Sequence, residues 1–265
     1  MPRHLTLAFA IVACALLTAT GVASPTAPGT QGPQDPGSSG GPIGRRPLAM
    51  TTGDGRLPQS WLVDAADRGH AAESLLRVLP PESLVEALIE STNLANVTST
   101  IERLQAFRTR YVSTDSCSAA GLWIRDRFLE YGYTDVRLDT FRTQTWQDSV
   151  WAFNVLAYKP GCALPSEHVV IGGHYDSVTA QNFEDPDAPA PGAEDNATGV
   201  AAVLEAARLL AGLDTRRTLV FACWSGEEEG LWGSRAFVTD AVADSIDIAL
   251  YLNMDAIGYL SLIHI

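Results

Sequence analysis

HVVIGGHYDSV at residues 168–178 and TLVFACWSGEEEGLWGS at residues 218–234 decide how this chain folds. Each begins with an unbroken apolar run of strand length that stops at glycine or serine followed by polar side chains. A strand that is apolar towards both faces must be covered on both faces, which is the habit of inner strands in an α/β sheet. Between them lies GVAAVLEAARLL at residues 199–210, whose alanine- and leucine-rich composition reads as a helix. Downstream, Gly230 to Val238 reads as a short helix and Ile248 to Asn253 as another strand. Upstream, Val136 to Phe141 and Val150 to Tyr158 read as strands. Val97 to Phe107 and Ser118 to Tyr131 read as helices, the second with Leu122, Ile124, Phe128 and Leu129 as its apolar face. This alternation predicts an α/β fold: a mostly parallel or mixed central sheet with helices on both faces.

Ligands of such sheets gather at the carboxyl ends of the strands, and metal-binding side chains fall there. His174 ends the first quoted strand, and Asp176, two residues on, can point the same way. A metal-ligating imidazole needs its other nitrogen held, a role for which Asp176 is placed. In PGAEDNATGV (residues 191–200), Asp195 lies in a glycine-flanked loop that opens a helix and can bridge two cations. Glu227, Glu228 and Glu229 follow the second quoted strand at once. Three adjacent carboxylates at the mouth of an apolar strand are costly unless cations or hydrogen bonds compensate. One of them can bind metal while its neighbour serves as general base, with Glu229 facing solvent. In IALYLNMDAIGY (residues 248–259), Asp255 closes a further strand. Each segment alone has an ordinary alternative: a structural His–Asp pair, helix capping by Asp195, Asn196 or Thr198, a solvated loop, a strand-end turn. The case for chemistry is cumulative, and one imidazole among hard oxygen donors suits zinc.

A length of 265 residues allows one sizeable domain with extra segments, and 46% hydrophobic content is ordinary for a globular chain. The net charge of −13 argues against a nucleic-acid partner, which needs clustered Lys and Arg. No feature here encodes an oligomeric state. Arg3 and His4 precede an apolar run from Leu5 to Val22 and the small residues Ala23 and Ser24, so residues 1–24 read as an export signal that leaves no membrane insertion once removed. That implies a secreted, periplasmic or cell-envelope protein. Ile11, Val12 and Ala13 ahead of Cys14 form a loose lipidation box, a lipoprotein alternative opposed by the apolar run continuing past Cys14. Residues 25–60 are Pro/Gly/Ser-rich and read as a disordered linker. Residues 61–95 read as a helical amino-terminal or pro-segment, with Leu62, Leu75, Leu76, Val78, Leu84, Leu88 and Ile89 as its apolar positions. Export permits disulfides, and a bridge between Cys117 and Cys162 is expected, with Cys223 buried in its strand.

The segments GGHYDSV, GAEDNATG, FACWSGEEEGLWGS and LNMDAIG resemble, in order, the signature segments of the co-catalytic zinc aminopeptidases, metallopeptidase family 28. The resemblance spans roughly residues 96–259 and points to the secreted bacterial type. It implies a three-layer sandwich and two Zn2+: His174 and Asp255 on one ion, Asp195 bridging, Glu228 on the second. It makes Glu227 the general base, Asp176 the residue that orients His174, and peptide or protein N-termini the substrate. It also implies a cis peptide from Asp195 to Asn196. The family's last zinc ligand is a histidine well beyond the Asp255 segment. His264 is too near to serve, and SLIHI does not resemble the family's continuation. Residues 96–265 are therefore read as the N-terminal part of a zinc peptidase domain, truncated, with its final histidine ligand missing and inactive by itself. The alternatives are a glutaminyl-peptide cyclase or carboxypeptidase of the same superfamily, and, from another class, a non-catalytic binding module on the same fold.

Overall fold

A computed structural model of the chain describes residues 81–258. The expected export signal, the linker, residues 61–80 of the amino-terminal helical segment and His264 lie outside the described residues. The elements in order are α1 (Pro81–Glu90), α2 (Leu94–Gln105), α3 (Asp115–Glu130), β1 (Asp135–Gln144), β2 (Ser149–Lys159), β3 (Leu164–His174), α4 (Gly199–Leu210), β4 (Arg217–Trp224), α5 (Trp232–Ala243) and β5 (Asp247–Asn253). Helices α2 and α3 start earlier than their apolar spacing suggests because polar side chains cap them. Asn93 accepts from the amides of Ala95 and Asn96, and Thr114 accepts from that of Cys117.

The five strands form one sheet in the order β1-β2-β4-β3-β5. It is mixed: β3 pairs parallel with β4 and β5, whereas β1–β2 and β2–β4 are antiparallel. The short connection from Gln144 to Ser149 closes a hairpin, and a hairpin can only be antiparallel. The two parallel pairs require crossovers, supplied by α4 and α5. Alternation along the strands builds two cores. Val155 and Ala157, Val169 and Ile171, and Leu219, Phe221 and Cys223 pack with α2, α3 and α4. Leu156, Val170, Val220, Ala222 and Trp224 pack with Phe237 of α5 on the opposite face. The result is the expected three layers. Each large side chain buried this way is worth about 1.5–3 kcal/mol, and Phe128, Tyr133 and Phe221 add edge-on ring contacts.

Two expectations are corrected. Leu122 and Leu129 of α3 are exposed, and the buried face is Cys117, Ala120, Gly121, Ile124 and Phe128, so small residues seat the helix on the sheet. Cys117 and Cys162 are both free, as is Cys223. Cys117 Sγ lies 4.0 Å from Ser225 Oγ, just past the carboxyl end of β4, while the Cys162 amide bonds to Thr215 just before its start. The length of that strand, roughly 25 Å at about 3.3 Å per residue, separates the two thiols. Among the described residues no helix is long and apolar enough to cross a membrane.

Registry is what positions the site. His174 aligns with Trp224 across β3–β4, and Gly172 with Asn253 across β3–β5. The three parallel strands therefore finish together, and the loops beginning at Tyr175, Ser225 and Met254 leave the sheet side by side.

Candidate metal centre

Strand β3 delivers His174 into an almost closed environment, 3% exposed. The Gly172–Gly173 pair before it is a matter of close approach: a Cβ on Gly173 would lie 2.7 Å from the Met254 carbonyl oxygen. That contact brings the Asp255 loop against β3, helped by the Met254 amide donating to Gly172. His174 Nε2 then faces Asp195 Oδ1 at 3.0 Å, Asp255 Oδ1 at 3.5 Å and Glu227 Oε2 at 4.0 Å. His174, Asp195 and Glu228 each offer a ligand atom within 4.8 Å of the others. The structure thus gathers all five residues expected to bind metal or act as base, from four separate strand ends or loops.

Asp176 is the sixth residue. His174 Nδ1 lies 3.2 Å from its backbone carbonyl oxygen and 3.6 Å from its carboxylate Oδ1, so the main chain holds the ring nitrogen more closely than the side chain. Its Oδ2 accepts from the Glu228 amide at 3.1 Å, while Oδ1 is buried without a hydrogen-bond partner. The residue therefore supports two functional positions.

Asp195 sits in the turn Ala193–Thr198, where Asp195 and Asn196 leave helical geometry and the peptide between them is cis. The capping alternative falls to its neighbour. Asn196 Oδ1 accepts from the amides of Gly199 and Ala256, and its Nδ2 donates to Met254, so Asn196 both caps α4 and ties this turn to the Asp255 loop. Asp195 is left to point outward, its side chain 61% exposed. The glutamates lie in a compact turn closed by bonds from Gly230 and Leu231 to Glu227 and from Trp232 to Gly226. Glu229, expected in solvent, is half-buried, with Oε1 enclosed and unpartnered and its carboxylate beside the Tyr111 hydroxyl.

Electrostatics and donor chemistry fit a cation. Among the described residues, none of Asp176, Asp195, Glu227, Glu228 and Asp255 forms an ion pair with Arg or Lys. Carboxylates crowded in this way without a counter-charge hold protons instead. Burial pulls the His174 imidazole down, but the Asp176, Glu227 and Asp195 carboxylates outweigh it and hold the ring up to about 10. Burial, together with Asp176 and Asp195, pushes the Glu228 carboxyl up to about 8, and burial likewise raises Glu227. One imidazole nitrogen surrounded by carboxylate oxygens is a zinc donor set, and a bound dication would displace these protons.

Residues with no motif of their own complete the support. Asn154, buried in β2, accepts from the Ser225 amide and donates to Asp139 and Gly233, fixing the exit of β4. Arg110 and Ser177 tie the exit of β3 to the residues ahead of Asp195. Their signal in the chain is only a polar residue inside an apolar strand and an arginine in a short loop.

Comparison with known proteins gives concordant likenesses. The model described as Peptidase family M28 matches residues 154–263. A probable zinc metalloprotease of Pyrenophora tritici-repentis is 32% identical over 195 residues, covering 68% of this chain and 40% of that one. Leucine aminopeptidase 1 of Coccidioides posadasii is 29% identical over 208 residues, covering 73% and 52%. The crystal structure of the Legionella pneumophila LapA aminopeptidase superimposes with a TM-score of 0.52 at 25% identity, over 65% of this chain and 45% of that one. The chain spans between 40% and 52% of the length of these two curated relatives.

Proposed function

We propose, from the match of residues 154–263 to the model of peptidase family M28, that the protein is a zinc-dependent aminopeptidase that removes N-terminal residues from peptides. The observation that carries the reading is the convergence of Asp195, Asp255 and Glu227 on His174 Nε2 within 4.0 Å, at the aligned carboxyl ends of β3, β4 and β5. We assign His174 and Asp255 to one Zn2+, Glu228 to a second and Asp195 to both. When bound, the ions supply the Lewis acidity that lowers the pKa of water and polarises a peptide carbonyl.

The chain's own residues supply the rest. Glu227 is the base: its carboxyl is raised by burial, which brings its proton affinity nearer to working pH. It takes a proton from the attacking water as the water oxygen adds to the scissile carbonyl carbon, and returns a proton to the departing amine. Asp176 holds the imidazole through Nδ1 so that Nε2 points at the ligand set. The exposed sides of Asp195 and Asp255 leave the centre open to a peptide end. The apolar run from Leu5 to Val22 supports export, so the substrates are peptides met outside the cytoplasm.

Paired chromogenic substrates test this reading. Metal-loaded full-length protein, which carries the remaining histidine ligand, should hydrolyse leucine p-nitroanilide and leave its N-acetyl derivative untouched, and metal analysis should find about two zinc per full-length molecule. Cleavage of the acetylated substrate would refute the aminopeptidase assignment, and absence of zinc would refute the metal centre.

A further inference from the structure

Arg110 is fully buried, in the segment between α2 and α3. Arginine is almost never enclosed without a carboxylate partner, yet among the described residues Arg110 forms no ion pair with one. Backbone carbonyls take its donors instead. Nε donates to Tyr175 at 2.6 Å, Nη1 to Leu104 at 3.0 Å and to Pro191 at 2.8 Å, and Nη2 to Gly192 at 2.9 Å.

The addresses of those carbonyls matter. Tyr175 lies between His174 and Asp176, and Gly192 opens the turn that carries Asp195. One rigid planar group therefore spans the exit of β3 and the approach to Asp195. The main chain reinforces it. The Ser177 amide donates to the Arg110 carbonyl and the Arg110 amide to Ser177 Oγ, both at 3.1 Å. Ser177 Oγ in turn donates to Ala190 at 2.7 Å, and the Ala190 amide bonds to Arg108. The fit leaves no slack: Gly192 adopts φ +48, and a Cβ there would lie 2.8 Å from Arg110 Nη2 and 2.6 Å from Ser177 Cβ.

We propose that Arg110 is a positioning residue of the metal centre, clamping the exit of β3 to the Pro191–Gly192 turn and so setting the His174–Asp195 separation before metal binds. The proposal rests on the metal-centre reading given above. Its physical basis is repulsion: carboxylates converging on one imidazole push their loops apart, and the guanidinium holds two of those loops at fixed distance through three hydrogen bonds, its fourth anchoring it to α2. Lysine keeps the charge but not the fork, having one compact ammonium where arginine has five donors in a plane. Arg110→Lys therefore separates geometry from charge.

The test titrates zinc into the metal-free full-length protein against a chromophoric chelator, with the thermal midpoint followed in parallel. The variants are Arg110→Lys, Ser177→Ala and, as a core control outside the clamp, Ile124→Ala. The clamp predicts zinc binding about 10–100-fold weaker in Arg110→Lys and about 5-fold weaker in Ser177→Ala, the equivalent of one hydrogen bond of about 1 kcal/mol. It predicts parental affinity in Ile124→Ala despite a lowered midpoint. Parental affinity in Arg110→Lys overturns the proposal, as does an equal loss in Ile124→Ala. If Arg110→Lys does not fold, Ser177→Ala decides by the same criterion. Full-length parent protein that binds no zinc overturns the metal centre itself, and the clamp with it.

Discussion

The backbone amide of Glu228 donates to Asp176 Oδ2 at 3.1 Å, so the loop leaving β4 is held by a residue of the loop leaving β3. Asp176 also holds His174 Nδ1 through its backbone carbonyl at 3.2 Å, and its buried Oδ1 has no hydrogen-bond partner. In Asp176→Asn the amide oxygen can still accept from Glu228 while the amide nitrogen takes the place of Oδ1 beside the imidazole, and the main-chain contact to the ring persists. Zinc affinity should therefore fall about 10-fold in Asp176→Asn and nearer 100-fold in Asp176→Ala, which leaves the Glu228 amide without its acceptor. Competition titration against a chelator reads both values, and equal affinities in the two variants would show that the amide bond to Glu228 is immaterial.

Asn196 joins three chain segments, accepting from Gly199 and Ala256 and donating to Met254 from a fully buried position. Asn196→Ala removes three hydrogen bonds and leaves the buried Met254 carbonyl oxygen and the Ala256 amide without their partner, while the Gly199 amide keeps the Asn196 backbone carbonyl. An unsatisfied buried group costs about 1–3 kcal/mol, so the variant should lose about 2 kcal/mol in denaturant unfolding. A loss under about 1 kcal/mol would mean that water or main-chain shifts replace those bonds.

Zinc should stabilise the chain more as pH rises. In the metal-free fold Glu228 is held up from 4.5 to about 8 and His174 from 6.5 to about 10. Between each pair of values the folded chain binds more protons than the unfolded one, so these groups favour folding most at low pH. That contribution is lost as pH rises through about 8 and then about 10. Zinc takes the place of those protons and removes the penalty. The zinc-induced rise in thermal midpoint should therefore grow steadily from pH 5 to pH 8. A rise that is constant or shrinks over that range would contradict the assignment of His174 and Glu228 as ligands.

Much of this centre is legible in the chain because three of its four segments end an apolar run, Asp195 alone lying in a glycine-flanked loop. His174 after HVVIGG, Glu227 after LVFACWSG and Asp255 after IALYLNM announce their places at strand ends without any knowledge of strand order. The order β1-β2-β4-β3-β5 is not visible that way, since pairing is chosen by which faces the helices cover. Nothing local to Arg110 shows that its donors will meet Tyr175, Pro191 and Gly192. Cys117 looks available for a bridge until α3 turns it inward. Glu229 looks like the solvent-facing third glutamate until the turn carries it to Tyr111. In each of these cases the deciding partner is distant in the chain, and periodicity carries no information about it.

Glu227 gives the sharpest separation of binding from chemistry. Among Asp195, Glu227, Glu228 and Asp255 it is the only carboxylate assigned to a proton rather than to a metal, and its Oε2 lies farther from His174 Nε2 than the carboxylates of Asp195 and Asp255 do. Gln is close in volume but has no basic oxygen, so Glu227→Gln removes the proton acceptor without opening a cavity. A positioned general base contributes about 10²–10⁴-fold to rate, and kcat should fall by that much. In the full-length protein, substrate KM and the content of about two zinc per molecule should stay near their parental values, since no assigned ligand is touched. If zinc is lost together with activity, Glu227 is a ligand and the base lies elsewhere. If activity persists at more than about a tenth of the parental kcat, the proton is taken by another group, and the half-buried Glu229 becomes the carboxylate to replace next.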